Sequence, residues 1–218
     1  MKIEIWSDIL CPFCYLGKQQ LELAIEKVGF TKEVEITYRS YQLNPEAKYQ
    51  EGLNMNDYLI KQRGYSESEL AKSHNHLIEK GQEVGITYNF DTVKICNSIN
   101  AHAFLHFAEK HNKASKLYKR LFELYFVEGA NIESVEILTT ACNDIGLDIN
   151  NLIALPHQDA DIIQDIEKDQ YMAQQIGARG VPYFLFNEKF SLSGAHGVEV
   201  FSNVLKTVYQ REQNETQL

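Results

Sequence analysis

Two cysteines, in the run Cys11-Pro12-Phe13-Cys14, are the residues best placed for chemistry in this chain. At this spacing they have two standard uses. If the run opens a helix, their Cα atoms fall within the ~4.4–6.8 Å that a disulfide spans, and the pair can open and close reversibly. The alternative is half of a zinc site, which needs a second ligand pair. No other C-x-x-C or C-x-x-H occurs in the sequence. A pair lying between a strand and a helix also favours redox use. Cys11 would then sit at the helix N-cap, where unpaired N–H groups and the helix dipole favour a thiolate, the nucleophilic form. Cys14, one turn further in, would be the resolving thiol. Cys11 attacks a disulfide, a mixed disulfide forms, and Cys14 releases it.

The elements that hold this pair can be read on either side of it. Ile3-Glu4-Ile5-Trp6 alternates as a short strand, and Tyr15 to Val28 repeats its apolar residues at helical spacing. Pro12 suits the first helical position, and Gly29 suits a C-terminal stop. Val34 to Tyr41 is β-branched, aromatic and alternating, and gives a second strand. Strand, helix and strand make a βαβ unit with a parallel pair. Between Asn54 and Gly177 the pattern is helical throughout. The expected helices are Met55–Arg63, Ser66–Glu83 with a capping box at Ser66 and Glu69, Ser98–His111, Lys113–Val127, Ile132–Ile145 and Gln158–Ile176. Val84 to Tyr88 reads as a short extended link. Tyr183-Phe184-Leu185-Phe186 and Lys189–Ser193 form a hairpin across Asn187-Glu188, and Val198–Tyr209 is a closing helix before a polar tail, Arg211–Leu218. The expected fold class is therefore α/β, thioredoxin-like in the order β-α-β then β-β-α. Residues 1–50 and 178–218 form the core, and residues 51–177 form a large all-helical insertion.

Other residues compete for a functional role. Gly180-Val181-Pro182-Tyr183 precedes the third strand. An ordinary trans proline is the commoner local reading, since only ~5–6% of X-Pro bonds are cis. A cis turn would expose the Val181 backbone to pair with an incoming peptide. Cys96 and Cys142 fall on helical segments and read as packing residues, with a second regulatory pair as the alternative. His102 and His106 share a helix face, but no third ligand has metal spacing, so no metal is expected. Asn97 could face a substrate cleft or cap a helix. His196 could line the cleft near Pro182 or cap the last helix. Phe104, Phe107, Leu117, Leu121, Phe122, Leu124 and Phe126 read as core, and some of them could wall an apolar cleft open to unfolded peptide or an apolar small molecule.

Composition excludes several classes. The chain has 218 residues and a net charge of −9, which argues against a nucleic-acid partner. No run of ~18 apolar residues could cross a membrane. Glu4 and Asp8 interrupt any signal-peptide core, so a cytoplasmic location is expected. Four cysteines are too few for a disulfide scaffold.

Ile5-Trp6-Ser7-Asp8 before Cys11-Pro12-Phe13-Cys14-Tyr15-Leu16-Gly17 resembles the opening of the DsbA family, in its cytoplasmic FrnE-like branch. Asn97-Ser98-Ile99-Asn100-Ala101-His102, Gly177-Ala178-Arg179-Gly180-Val181-Pro182-Tyr183-Phe184 and Leu192-Ser193-Gly194-Ala195 resemble later motifs of that branch, in order along nearly the whole chain. The resemblance implies a thioredoxin fold with an inserted helical domain, a cis Pro182 opposite the dithiol, and disulfide oxidoreductase activity. Cys11 and Cys14 would be catalytic, and Pro12, Phe13, Val181, Pro182, Asn97 and His196 would contact substrate. Protein disulfides or dithiols would be the partners. No cofactor is implied beyond an external thiol such as glutathione. Phe13 stands where the periplasmic enzymes commonly carry His, so the disulfide is expected to be less oxidising than their value of about −120 mV. The same superfamily holds 2-hydroxychromene-2-carboxylate isomerases and kappa-class glutathione transferases, which typically carry Ser at the first cysteine position. A glutathione-dependent isomerase or transferase is one alternative. A noncatalytic redox-sensing peptide-binding module or chaperone is the other.

Overall fold

The computed structural model describes residues 1–149, 152 and 154–216. It places β1 (Lys2–Ser7), α1 (Pro12–Val28) and β2 (Glu35–Ser40) first in the chain. Six helices follow: α2 (Met55–Arg63), α3 (Glu67–Gln82), α4 (Ile99–Glu109), α5 (Ala114–Phe126), α6 (Val135–Asp144) and α7 (Ala160–Gln175). A 3-10 turn, Pro156–Gln158, precedes the last of them. The hairpin β3 (Tyr183–Phe186) and β4 (Phe190–Ser193) and the helix α8 (Val198–Thr216) complete the described chain.

The sheet order is β2-β1-β3-β4. β1 runs parallel to β2 with Ile5 opposite Tyr38, and antiparallel to β3 with Ile5 opposite Phe184. β1 is thus a central strand, and its residues are buried on both faces. Ile3 and Ile5 join Leu16, Leu21, Phe184 and Phe201 in the main core beneath α1 and α8. Trp6 faces the other way, onto Ala173, Ala178 and Tyr183. The main core does not stop at the sheet. Tyr15 of α1 stacks on Phe122 of α5, with ring centroids 4.8 Å apart. The stripe on α4 and α5 read as core is packed there, with Phe104, Leu117, Leu121 and Phe122 fully buried.

A polar tie joins sheet and insertion across the other face. Asp169 of α7 is buried and accepts from the Ser40 backbone N–H (2.9 Å) and from Arg39 (3.1 Å). His106 of α4 lies 3.2 Å from the same carboxylate. Arg39 also binds Glu4 of β1, and the indole N–H of Trp6 donates to the Asp169 carbonyl at 2.8 Å.

The observed helix ends correct the readings at α6, α7 and α8. α6 starts at Val135 because the Ser134 side chain caps it by accepting from the Ile137 N–H; Ile132, expected inside the helix, is buried ahead of it. α7 starts at Ala160, capped by Asp159, so Gln158 belongs to the preceding 3-10 turn. α8 continues through the expected polar tail to Thr216; Gln217 and Leu218 lie outside the described residues. Val84 to Tyr88, read as a link, is a connection: Val84 and Gly85 continue the turn after α3, and Ile86 to Tyr88 belong to no helix or strand. The capping box at Ser66 and Glu69 is formed as read.

Candidate active site

Cys11 is the N-cap of α1, with extended backbone (φ −95°, ψ 113°), and Pro12 follows at the first helical position. The Cys11 N–H donates to the Asp8 carbonyl at 3.1 Å, and the Cys14 N–H donates to the Cys11 carbonyl at 3.0 Å. These bonds fold the tetrapeptide into the first turn of the helix and bring both sulfurs to one end of β1. All four cysteines are free thiols.

Asp8 organises the approach to this turn. Its carboxylate is fully buried, accepting from the Leu10 N–H (3.2 Å) and from the Leu43 N–H (2.7 Å), so it ties the loop before Cys11 to the loop after β2. The buried His102 ring of α4 lies 3.6 Å from it. From the insertion, the Tyr88 hydroxyl donates to the Pro12 carbonyl at 2.7 Å. The Tyr88 ring is held edge-on by Tyr15 and stacked on Phe90. Gly81 leaves room for it, since a Cβ there would stand 2.7 Å from the Tyr88 ring.

Opposite the dithiol lies the turn before β3. The Cys11 thiol donates to the Val181 carbonyl, with sulfur and oxygen 3.6 Å apart. The Val181–Pro182 peptide is cis, and the Pro182 carbonyl accepts from the Gly194 N–H at 2.8 Å. Gly17 of α1 lets this turn approach, because a Cβ at that position would lie 3.2 Å from the Pro182 ring and 3.1 Å from Phe184.

All four thiols are buried, Cys11 the least so at 5% exposed. Cys14 is 1% exposed, and burial raises its pKa well above the usual thiol value; the Cys11 thiol beside it adds to the rise, while the Ser7 hydroxyl and the Asp8 backbone oppose it. Cys96 and Cys142 are fully buried, and burial pushes both up to about 12. Cys11 lines an open cleft together with Pro12 and Phe13, and the lining of that cleft also includes Cys96.

The structure therefore brings Cys11, Cys14, Pro12, Phe13, Val181 and Pro182 together. Asn97 and His196 are elsewhere engaged. The Asn97 side chain accepts from Gln42 and the Ile99 N–H and donates to the Pro45 and Ala47 carbonyls, which anchors the start of α4 on the loop after β2. The His196 ring lies 2.6 Å from the Ser193 carbonyl, in the turn between β4 and α8. Tyr88, Gly17 and Gly81 escaped the sequence reading. Tyr88 sits in an aperiodic link, and the two glycines sit inside helices, where a structural need for a missing Cβ leaves no local pattern.

Comparisons with known proteins follow the same lines. The model of the DSBA-like thioredoxin domain matches residues 2–206. The uncharacterized protein YwbO of Bacillus subtilis (strain 168) is 26% identical over 206 residues, which is 93% of this chain and 94% of that protein. A probable DsbA oxidoreductase from Streptomyces coelicolor has a TM-score of 0.86 at 27% identity, covering 96% of this chain and 90% of that one. A 2-hydroxychromene-2-carboxylate isomerase has a TM-score of 0.71 at 15% identity, with 98% of each chain covered. The cytosolic disulfide reductase DsbM from Pseudomonas aeruginosa, solved with GSH, has a TM-score of 0.69 at 15% identity, with 96% of this chain and 100% of that one covered. The last two show a shared fold.

Proposed function

Because the chain belongs to the DSBA-like thioredoxin domain family, we propose that it is a thiol–disulfide oxidoreductase with Cys11 as nucleophile and Cys14 as resolving thiol. The observation that carries this reading is the asymmetry of the pair. Cys11, 5% exposed, caps α1 and lines an open cleft, whereas Cys14 lies one turn deeper, 1% exposed, and is not part of the lining.

The reaction follows from that asymmetry. The Cys11 thiolate attacks one sulfur of a bound disulfide. A Cys11–substrate bond forms, the substrate S–S bond breaks, and one substrate thiolate leaves with the electron pair. Cys14 then gives its proton to the substrate thiolate released in the first step and attacks the Cys11 sulfur, which closes Cys11–Cys14 and expels the second substrate thiolate. The substrate gains two electrons and the protein loses two; the reverse sequence oxidises a dithiol. Burial holds the proton on Cys14 until the mixed disulfide has formed, so the first step belongs to Cys11. Val181 and Pro182 form the wall against which the substrate backbone lies, with Pro12 and Phe13 opposite.

Electrons pass from sulfur to sulfur, so the reaction calls for no organic or metal cofactor, and a thiol pool such as glutathione would reset the enzyme. The neighbour named a cytosolic disulfide reductase, solved with GSH, supports glutathione as that partner and the cytoplasm as the setting. Among the described residues, no helix is long and apolar enough to cross a membrane. A transferase or isomerase reading is disfavoured by Cys11 itself, since the enzymes of that type typically carry Ser there.

The test is direct. Reduced protein is mixed with a disulfide-bonded peptide, and the products are followed by intact mass. Wild type should release the peptide dithiol and gain an internal disulfide, Cys14→Ser should stop at a peptide adduct on Cys11, and Cys11→Ser should be inert. Peptide reduction by Cys11→Ser at the wild-type rate would refute the assignment.

A further inference from the structure

Beside Cys11 the surface opens into a cleft of about 460 Å³ between the Cys11–Phe13 turn and helices α2 and α3. Leu59, Leu70, Leu77, Val93 and Phe126 wall it with apolar surface. Three of the large exposed hydrophobic residues, Phe13, Leu43 and Tyr65, belong to the same lining.

Its charge is unlike that of the chain. Acidic residues outnumber basic ones 30 to 21 overall, yet no carboxylate lines the cleft. Arg63, at the end of α2, is the guanidinium of the lining, and among the described residues it has no ion-pair or hydrogen-bond partner. The other basic side chain, His74, is stacked on Phe90 with centroids 4.0 Å apart, and burial lowers its pKa, so it adds little positive charge. One further polar atom is unsatisfied there: the Asn56 side-chain oxygen is buried without a partner.

We propose that this cleft binds low-molecular-weight disulfides that combine an apolar body with a carboxylate, Arg63 pairing with the carboxylate while Cys11 takes the sulfur. The proposal rests on the oxidoreductase reading above and names its substrate class. The volume lies in the range of cavities that enclose small molecules. Apolar walls favour an apolar body, and the minority of polar side chains in the lining offers the amide groups of a peptide-like body such as glutathione few partners. An unpaired guanidinium in a lining free of carboxylates selects an anion, and the Asn56 oxygen can accept from one N–H or O–H. In the reaction, Cys11 breaks the ligand S–S bond and one ligand thiolate leaves. Cys14 then closes on Cys11 and expels the second, so the ligand is reduced to two thiols and the protein is oxidised to its disulfide.

The experiment uses Cys14→Ala protein, which stops after the first exchange, and three disulfides. Dithiobis(nitrobenzoate) has an aromatic ring and a carboxylate, dipyridyl disulfide has a ring and no carboxylate, and oxidised glutathione is polar throughout. Stopped-flow rates are divided by the rate of each disulfide with free N-acetylcysteine. Arg63→Gln should lower the ratio of the nitrobenzoate to the dipyridyl rate by about tenfold, and Arg63→Lys should recover most of it. Leu59→Trp, which fills the cleft, should slow both aromatic disulfides and spare oxidised glutathione. The proposal is overturned if Arg63→Gln leaves the ratio within about twofold, or if Leu59→Trp slows all three alike. Should Leu59→Trp fail to fold, as judged by circular dichroism, the Arg63 pair decides alone. Absence of exchange with all three disulfides would remove the oxidoreductase reading itself, and this inference with it.

Discussion

Three buried thiols couple the stability of the reduced protein to alkaline pH. In an unfolded chain Cys14, Cys96 and Cys142 ionise at the ordinary value of 9.0, whereas in the folded chain burial pushes Cys96 and Cys142 up to about 12 and raises Cys14 well above the ordinary value. Between those limits the unfolded state has released protons that the folded state still holds. The sign follows: their contribution to stability is complete below pH 9 and is lost as the pH rises through the interval up to about 12. Each such group costs ~1.4 kcal/mol per pH unit once the unfolded thiol is ionised, so Cys96 and Cys142 together should remove about 3 kcal/mol between pH 8 and 10. That is a large part of the ~5–15 kcal/mol that holds a typical domain folded. Cys14 adds to the loss in the reduced protein and adds nothing once it is bound to Cys11. The buried Tyr15, raised to about 12 from an ordinary 10.0, enters at the top of the window with the same sign. Lys18, whose pKa burial lowers, acts in the opposite direction. Urea unfolding at pH 8, 9 and 10 would measure the effect, with reduced and oxidised protein compared. At a slope of about 2 kcal/mol/M, the midpoint of the reduced form should fall by more than about 1 M across the series, and that of the oxidised form should fall less. Cys142→Ala should flatten the slope by one thiol's share, which separates the cysteines from the tyrosines and Lys18. A reduced-form midpoint that stays constant from pH 8 to 10, or an oxidised form that falls just as steeply, would refute the reasoning.

Two substitutions probe how the site is held. Asp169→Ala removes a partner of the buried Ser40 N–H, of Arg39 and of His106 and should cost about 1–3 kcal/mol in chemical unfolding, because the buried amide is left unpaired while Arg39 keeps Glu4. A loss under about 1 kcal/mol would show that the tie is exposed to water in solution. Gly81→Ala should invert a familiar sign: in most helix interiors the change gains about 1 kcal/mol, whereas here the new Cβ would meet the Tyr88 ring at 2.7 Å and should destabilise the protein while altering Cys11 exchange rates through the Tyr88–Pro12 bond. Thermal melts and thiol labelling of the same variant check both halves.

Much of the fold lay open in the sequence where local signals agreed. α2 and β3 have the bounds read from pattern alone, since the αL Gly64 ends the first and the apolar run Tyr183 to Phe186 defines the second. Helix ends failed where a cap overrode periodicity, as at Ser134 and Asp159. The extension of α8 failed for the opposite reason. Gln210, Arg211, Glu212 and Gln213 carry no apolar period, but they favour helix intrinsically, and the segment is fixed by Tyr209 packing on Phe30 and by the Arg211 guanidinium over the Phe190 ring. The chemical pair was legible because its meaning lies in four consecutive residues. Asp8, Tyr88 and Arg63 were assigned no roles because theirs depend on which distant segments the fold brings to the pair, and one sequence does not encode that distance locally.

The division of labour in the molecule follows from these contacts. The core would supply the proposed sulfur chemistry: the loop after β1 delivers Cys11, Cys11 caps α1, and the turn before β3 faces it. The insertion supplies the Tyr88 bond that fixes the Pro12 carbonyl and most of the wall beside Cys11, including the unpaired Arg63. Asp8, 3.6 Å from His102 of α4, and Asp169, bonded to Ser40 of β2, link the two parts through buried carboxylates, so the wall is held at a fixed position relative to the thiols. Replacing wall residues on α2 should therefore change which disulfides are accepted while leaving the exchange reaction intact; α3 is tied to the helix end that presents Cys11, through Gly81 against the Tyr88 ring and His74 stacked on Phe90. Under the proposed function, selectivity and chemistry would be carried by different segments of one chain, and the helical insertion between β2 and β3 would be where selection among substrates acts.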